Sequence, residues 1–295
     1  MPLKALVIGA SGLVGGALLR VLGAAHHDAL GTYRARPGPG LLPLNVADAS
    51  AAQQLVADVR PDVVFLTAAL TGVDYCEDHQ DEAKAINVDG PRAVGEAARA
   101  AGALLVYYST EYVFDGAAGP YGEDDPISPQ GAYARSKAEG ERAIREVIQD
   151  HLILRTTVVF GWDPASTNFA MQVWQRLSAG ERMRVPCDQI GNPTLADFLA
   201  ETSAALVARG VTGETVNVVG RDRVPRTEFG VKLARRLGLN EHLIEPVRTL
   251  DLHQRAPRPL NAGLKTEKLA ELIGRQPITL DDALDRFVAH KTAAG

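Results

Sequence analysis

Leu3-Lys4-Ala5-Leu6-Val7-Ile8-Gly9-Ala10-Ser11-Gly12-Leu13-Val14-Gly15 decides the fold. Leu3–Ile8 is an apolar run of strand length, and Gly12–Leu22 continues with a helical period, so the glycines stand at a strand-to-helix turn. There they permit a tight turn and close backbone approach. The helix N-terminus behind them offers unpaired N–H groups and a partial positive charge to phosphate. In this context the loop reads as a dinucleotide-binding turn, and the plainer reading is a turn that merely packs helix on strand. Ala5–Leu19 is also uncharged, which imitates the apolar part of a signal peptide. The repeated glycines, with Gly16 beside Gly15, and the return of charge at Arg20 favour strand, turn and helix, and the run is too short to span a bilayer.

Working outward, the same alternation continues. Ala29–Tyr33 reads as strand, Ala51–Val59 as helix, Asp62–Thr67 as strand, Gln80–Ala101 as a long helix, Ala103–Ser109 as strand, Gly131–Ile148 as helix and Leu152–Val159 as strand. Arg36–Pro43 reads as a Pro/Gly-rich loop. Runs such as Val63-Val64-Phe65-Leu66 are apolar on consecutive residues, so both of their faces must be covered, as in a parallel sheet between helix layers. After Gly161 the pattern loosens into a strand at Thr215–Val219 and helices near Thr167–Ser178, Leu195–Ala208, Thr227–Leu237 and Leu280–Ala289, punctuated by prolines. The expected class is α/β: a Rossmann-type doubly wound parallel sheet with a smaller C-terminal α/β substrate lobe. The nucleotide-binding domain is expected over residues 1–159, with segments at about 191–219 and 279–295 returning to it, and the substrate lobe over about 160–190 and 220–278.

Composition narrows the function classes. The chain has 295 residues, enough for one large domain or two intimate ones at about 150 residues each. With 31 basic and 36 acidic residues its net charge is −5, so no electrostatic footprint favours nucleic acid or an anionic membrane surface. Its 46% hydrophobic and 23% charged residues exclude a disordered or fibrous chain. Cys76 and Cys187 are the two cysteines, with no CxxC or Cys/His cluster, which points to a reducing, cytoplasmic setting and no structural zinc.

Two further features carry chemistry. In NAD-binding folds an acidic residue closing the second strand holds the adenosine ribose. Residues 29–47 contain no Asp or Glu, and Arg34 and Arg36 follow that strand, suited to a 2′-phosphate. NADPH is therefore the expected cofactor, with NADH as the alternative, and Arg34 is the stronger candidate of the two. Tyr133 and Lys137 stand at i and i+4 of a helical segment, on one face. A nearby ammonium is expected to lower the phenol's ordinary pKa of about 10. Ser109-Thr110 ends the fourth strand, where Thr110 can orient a carbonyl oxygen that Tyr133 protonates as hydride arrives. The plain reading of a Tyr-x-x-x-Lys spacing is a surface helical pair.

The glycine loop, Thr110 and Tyr133/Lys137 resemble an extended short-chain dehydrogenase/reductase. Ser109–Gly116, Pro120-Tyr121 with Glu123–Pro126, Asp188–Thr194 and Arg258–Asn261 resemble, more narrowly, the dTDP-4-dehydrorhamnose reductases, over nearly the whole chain. The resemblance implies NADPH-dependent reduction of the C4 ketone of a nucleotide-linked 6-deoxy-4-ketosugar, as in formation of dTDP-L-rhamnose for polysaccharides. It makes Tyr133 the proton donor, Lys137 its partner and holder of the nicotinamide ribose, and Thr110 the residue orienting the keto oxygen. It puts Gly9, Ser11, Gly12, Leu13, Val14 and Gly15 on the cofactor, with Asn45, Val46, Ala68, Ala69 and Thr71. Asn87, Ser109, Thr157 and Val158 complete that set. Val73, Glu111, Asn168, Phe169 and Gln189 are expected to face the sugar nucleotide. The plain readings are a turn cap for Asn87, core for Phe169 and a solvated loop for Gln189.

Departures from the family pattern fall around the nicotinamide and sugar: Thr67 for Asn, Leu70 for Tyr, Glu111 for Asp, Val158 for Trp, and Asn45 for an Asp near the adenine. They leave the sugar and the base open. The acidic residues of the metal-linked dimer found in some members have no match, so no metal is expected; a homodimer is an open possibility. Two other readings stand beside reduction. One is a non-catalytic NADP-binding subunit resembling the regulatory β subunit of methionine adenosyltransferase, although that subunit has Ser-Ser where this chain has Ser109-Thr110. The other is a nucleotide-sugar epimerase; a dehydratase needs a second acid where this chain has Tyr112.

Overall fold

The computed structural model describes residues 2–294. Seven parallel strands form one sheet: β1 (Lys4–Ile8), β2 (Asp28–Tyr33), β3 (Leu41–Pro43), β4 (Val63–Leu66), β5 (Leu104–Thr110), β6 (His151–Thr156) and β7 (Glu214–Asn217). Their spatial order is β7-β6-β5-β4-β1-β2-β3. The order reverses between β1 and β4, and the crevice beyond the carboxyl ends of those strands is where such sheets bind ligands.

Period-two alternation assigns each strand residue to a helix layer. Val7, Phe65, Val106 and Leu154 share one buried cluster with Ala17 and Leu18 of α1 (Leu13–Ala24). Leu6, Val64, Leu105 and Ile153 face the other side, against Val56 of α2 (Ala49–Val59), Val94 of α3 (Gly90–Ala101) and Ile144 of α4 (Gly131–Val147). Each such Val, Leu or Phe contributes about 1.5–3 kcal/mol on burial. The doubly wound arrangement follows from this two-sided apolarity.

Past β6 the chain builds α5 (Phe169–Ser178), α6 (Ala196–Ala208), α7 (Arg226–Arg236), α8 (Glu267–Ile273) and α9 (Leu280–Ala294). Helix α6 joins α1 on the first face of the sheet. Outside the large sheet, Met183–Pro186 pairs in parallel with Ile244–Val247, and Ile190–Gly191 pairs antiparallel with Val224–Pro225.

Three sequence expectations are corrected here. The loop expected over Arg36–Pro43 ends in the edge strand β3, which pairs with Gly31–Tyr33. The strand expected over Leu152–Val159 stops at Thr156, because Val158 turns to φ 43°. Val159–Phe160 then pairs with Thr194–Leu195 instead. The single helix expected over Gln80–Ala101 is divided by a π-helical turn at Ala85–Asp89, with Pro91 at the start of α3, where a missing N–H is tolerated.

Candidate active site

The glycine loop follows β1 directly. Gly9 has φ 95°, and a Cβ there would lie 2.7 Å from the backbone nitrogen of Ala68, which follows β4. A Cβ on Gly15 would lie 2.4 Å from the Gly9 carbonyl oxygen. Both positions therefore require glycine, and Gly12 closes the turn by donating its N–H to the Gly9 carbonyl at 3.0 Å. The result is a cradle between the β1 and β4 ends whose side-chain-free backbone leaves room for close approach by a diphosphate. It opens on a cleft of about 480 Å³ lined by Gly12, Leu13, Val14 and Gly15 on one side, and by Ala69, Thr71, Thr110 and Tyr133 on the other. These residues fit a nicotinamide dinucleotide.

The π-helical turn has a definite use here, as such bulges often do. It presents Asn87, 1% exposed, whose Oδ1 accepts from the Leu70 N–H at 2.8 Å and whose Nδ2 donates to the Leu70 carbonyl at 3.0 Å. Nδ2 also donates to Ser136 Oγ at 3.0 Å, and Ser136 Oγ donates to the Tyr133 carbonyl at 2.8 Å. One amide thus fixes the Ala68–Thr71 wall of the cleft against the helix that carries Tyr133.

Helix α4 brings Tyr133, Lys137 and Glu141 onto one buried face. Lys137 Nζ donates to the Tyr108 carbonyl at 2.7 Å and lies 4.1 Å from the Tyr107 ring centroid. Burial lowers its pKa to about 7, with the Glu141 charge opposing. The expected lowering of the Tyr133 phenol is reversed: burial first, then the Glu111 carboxylate, push it above its ordinary value, against a smaller opposing effect of the Thr110 hydroxyl. Lys137 gives its hydrogen bond to backbone, so desolvation prevails. The phenol is consequently protonated at neutral pH, the form a proton donor needs.

Glu111 follows β5 and is buried. Its carboxylate accepts from Thr110 Oγ1 at 2.7 Å and from Thr157 Oγ1 at 2.8 Å. Burial raises its pKa, opposed by those hydroxyls. Ser109 reaches the cleft wall, but its hydroxyl donates to Glu141 Oε1 at 2.6 Å. Val158 lines the same wall in a left-handed conformation that β-branched residues adopt at a cost of about 1–3 kcal/mol. Val73 lines it from the start of a short helix, Val73–Asp78.

The remaining candidates divide. Asn45 is exposed and accepts its own turn's Ala47 N–H at 3.3 Å, beside buried Val46, whose carbonyl packs under Gly90. Arg34 donates to Glu82 at 3.1 Å, whereas Arg36 reaches the glycine loop and donates to the Ser11 carbonyl at 2.6 Å. Asn168 caps α5 by accepting from the Met171 N–H at 3.3 Å. Phe169 packs on Phe229, ring centroids 5.2 Å apart. Gln189 is buried on a smaller cavity that shares Glu111, Tyr112, Thr157 and Val158 with the cleft. Arg226, absent from the sequence-based candidates, lines both spaces. A charged residue opening a helix carries no signal of its own, and its position is visible only once α7 has folded against residues 189–191.

The fold and cleft define an NAD(P)-dependent oxidoreductase of the extended short-chain dehydrogenase/reductase class. The RmlD substrate binding domain model matches residues 3–293, and the chain belongs to that family of sugar-nucleotide reductases. It is 33% identical over 287 residues to a probable low-salt glycan biosynthesis reductase of Haloferax volcanii, covering 95% of each chain. It is 35% identical over 260 residues to the dTDP-4-dehydrorhamnose reductase of Streptomyces griseus, covering 86% of this chain and 83% of that one. The crystal structure of dTDP-4-dehydrorhamnose reductase from Bacillus anthracis in complex with NADP superposes with a TM-score of 0.90 at 28% identity, over 98% of this chain and all of that one.

Proposed function

We propose that the protein uses NADPH to reduce the C4 ketone of a nucleotide-linked 6-deoxy-4-ketosugar, with dTDP-4-dehydrorhamnose giving dTDP-L-rhamnose as the leading pair. The observation that supports this most is the convergence of Thr110, Tyr133 and the glycine cradle on one cleft. The relatives named as dTDP-4-dehydrorhamnose reductases support the choice of sugar and base.

A bound nicotinamide supplies hydride to the carbonyl carbon. Tyr133 transfers its phenolic proton to the keto oxygen, and Thr110 orients that oxygen with its hydroxyl. The hydroxyl is engaged by Glu111 at 2.7 Å, so binding the ketone requires Thr110 to turn away from that carboxylate. Lys137 shares the buried face of α4 with Tyr133 and is anchored on the Tyr108 carbonyl, and in this reading its ammonium stabilises the charge left on the phenol after proton transfer. In this reading residues 160–190 and 220–278 hold the sugar nucleotide, with Val73, Glu111, Asn168, Phe169 and Gln189 as candidate contacts. Among the described residues no helix is long and apolar enough to cross a membrane, and we place the reaction in the cytoplasm, where NADPH is available.

The test is NADPH oxidation with dTDP-6-deoxy-L-lyxo-4-hexulose beside UDP- and GDP-linked ketosugars, and with Tyr133→Phe as control. Turnover that falls at least 100-fold in the variant, with NADPH binding kept, supports the mechanism. Unchanged turnover in Tyr133→Phe removes it, and tight NADPH binding without turnover of any ketosugar favours the cofactor-binding regulatory reading.

A further inference from the structure

Arg226 stands where the cofactor cleft and the smaller cavity meet, since both spaces share Glu111, Tyr112, Thr157, Val158 and Arg226 in their walls. It is the only cationic side chain lining either space among the described residues. Its backbone N–H donates to the Gln189 carbonyl at 2.9 Å, which fixes the start of α7 on the loop that roofs the small cavity. Its guanidinium lies 5.5 Å from the Phe169 ring centroid. Phe169 is itself wedged against Phe229, so the planar group has a rigid apolar platform.

The guanidinium is charged at all working pH values, yet its Nε is buried and has no hydrogen-bond partner among the described residues. The neighbouring charges are otherwise committed. Arg258 pairs with Asp74 at 3.0 Å and is 8% exposed at its side chain. Asp188 accepts from both the N–H and the hydroxyl of Thr249, at 2.9 and 2.6 Å. Glu111 is held by two threonine hydroxyls, and Arg226 acts on it only through its charge. A buried guanidinium donor left without a partner costs free energy until an acceptor arrives.

We propose that Arg226 is the binding residue that receives the diphosphate of the nucleotide sugar. The assignment rests on the sugar-nucleotide reductase reading. With the ketone end fixed at Thr110 and Tyr133, the substrate extends along the shared wall to Arg226 at the mouth of the smaller cavity, which holds only about 20 Å³ and must widen to admit the nucleoside. Its diphosphate then meets a guanidinium fork, which pairs bidentately with phosphate oxygens. The single cation answers a ligand that carries its charge in one place.

Calorimetric titration of dTDP, UDP, GDP and thymidine into the wild-type protein, Arg226→Gln and Arg226→Lys tests this. The expected result is a nucleoside diphosphate affinity at least 10-fold weaker in Arg226→Gln and partly restored in Arg226→Lys. Thymidine and NADPH affinities should stay within 2-fold, and in turnover KM for the ketosugar should rise by a larger factor than kcat falls. Equal diphosphate affinity in wild type and Arg226→Gln overturns the assignment, as does a loss that thymidine or NADPH shares. A wild-type protein that binds NADPH but none of the three diphosphates overturns the nucleotide-sugar reading itself, a distinct outcome from failure at Arg226.

Discussion

Under the proposed mechanism, Lys137 is the residue whose titration sets the expected pH dependence of reduction. Burial disfavours its ammonium and lowers its pKa to about 7, while the Tyr133 phenol is raised and keeps its proton across the neutral range. The cationic form of Lys137 is complete below that value and is lost as pH rises through it. The expected kcat/KM for reduction is therefore flat on the acid side and falls about 10-fold per pH unit above an apparent pKa near 7. A pH–rate profile with Lys137→Arg, whose cation does not titrate in this range, should lack that descending limb; a limb unchanged in the variant assigns it elsewhere. The two arginines after β2 separate at the same scale. Arg34 is paired with Glu82 and Arg36 rests on the Ser11 carbonyl, which places Arg36 nearer the cradle. Under NADPH selectivity, replacing either by Ala weakens NADPH more than NADH, and the geometry makes the Arg36→Ala effect the larger. Fluorescence titration of both cofactors measures it, and equal losses for the two dinucleotides return both residues to surface charge.

Among the elements, the π-helical turn at Ala85–Asp89 and the β1-to-α1 loop hold the walls of the cleft. Asn87→Ala leaves the Leu70 N–H and carbonyl without their side-chain partners, which costs about 1–3 kcal/mol. Thermal unfolding should report that loss together with weaker NADPH binding, and a variant with unchanged Tm and affinity would show that the Leu70 segment needs no such clamp. The β1–α1 loop was legible in sequence because three glycines at fixed offsets between a strand and a helix have few other uses. The shared helix face of Tyr133 and Lys137 is legible in their i, i+4 spacing, and both are buried on α4, which follows β5. What was hidden depended on distant partners. Leu41–Pro43 is a strand through its pairing with β2, a pairing that no local preference of a Leu-Leu-Pro run announces. Val158 adopts φ 43° against the preference of every β-branched residue, so its sequence argued for continued strand. The direction of the Tyr133 shift depends on the fold in the same way, since burial and the Glu111 carboxylate set it and the lysine four residues away bonds to backbone instead.

At the scale of the whole molecule, a buried ion pair joins the helix that carries Tyr133 to the sheet. Arg155 on β6 donates from Nε and Nη2 to the Glu141 carboxylate at 2.9 and 2.8 Å, with side chains 3% and 0% exposed. Ser109 on β5 donates to the same carboxylate, and Arg155 Nη1 donates to the Glu123 carbonyl at 2.9 Å. Burial alone would raise the Glu141 carboxyl, but the Arg155 bonds and charge outweigh it and hold its pKa below the usual range. The stabilisation is therefore present above the ordinary carboxylate pKa and is lost as pH falls through the lowered value. Glu141→Ala strands the Arg155 cation and is expected to cost about 3–5 kcal/mol. Denaturant unfolding at pH 7 checks the loss, which should narrow in strong acid, and a cost under 1 kcal/mol would mean that the pair adds little. Phe287 of the C-terminal helix α9 is fully buried and packs with Phe160 and Trp162, ring centroids 6.0 and 5.6 Å away. These aromatic partners lie more than a hundred residues earlier in the chain. During synthesis strands β1 to β6 leave the ribosome more than fifty residues ahead of Phe229 and a hundred ahead of Phe287, so the Phe160 face waits for both aromatic partners. Helix α9 thus completes a core whose other walls are made long before it, and chaperone engagement of nascent chains ending before residue 280 is where that order of assembly would be seen.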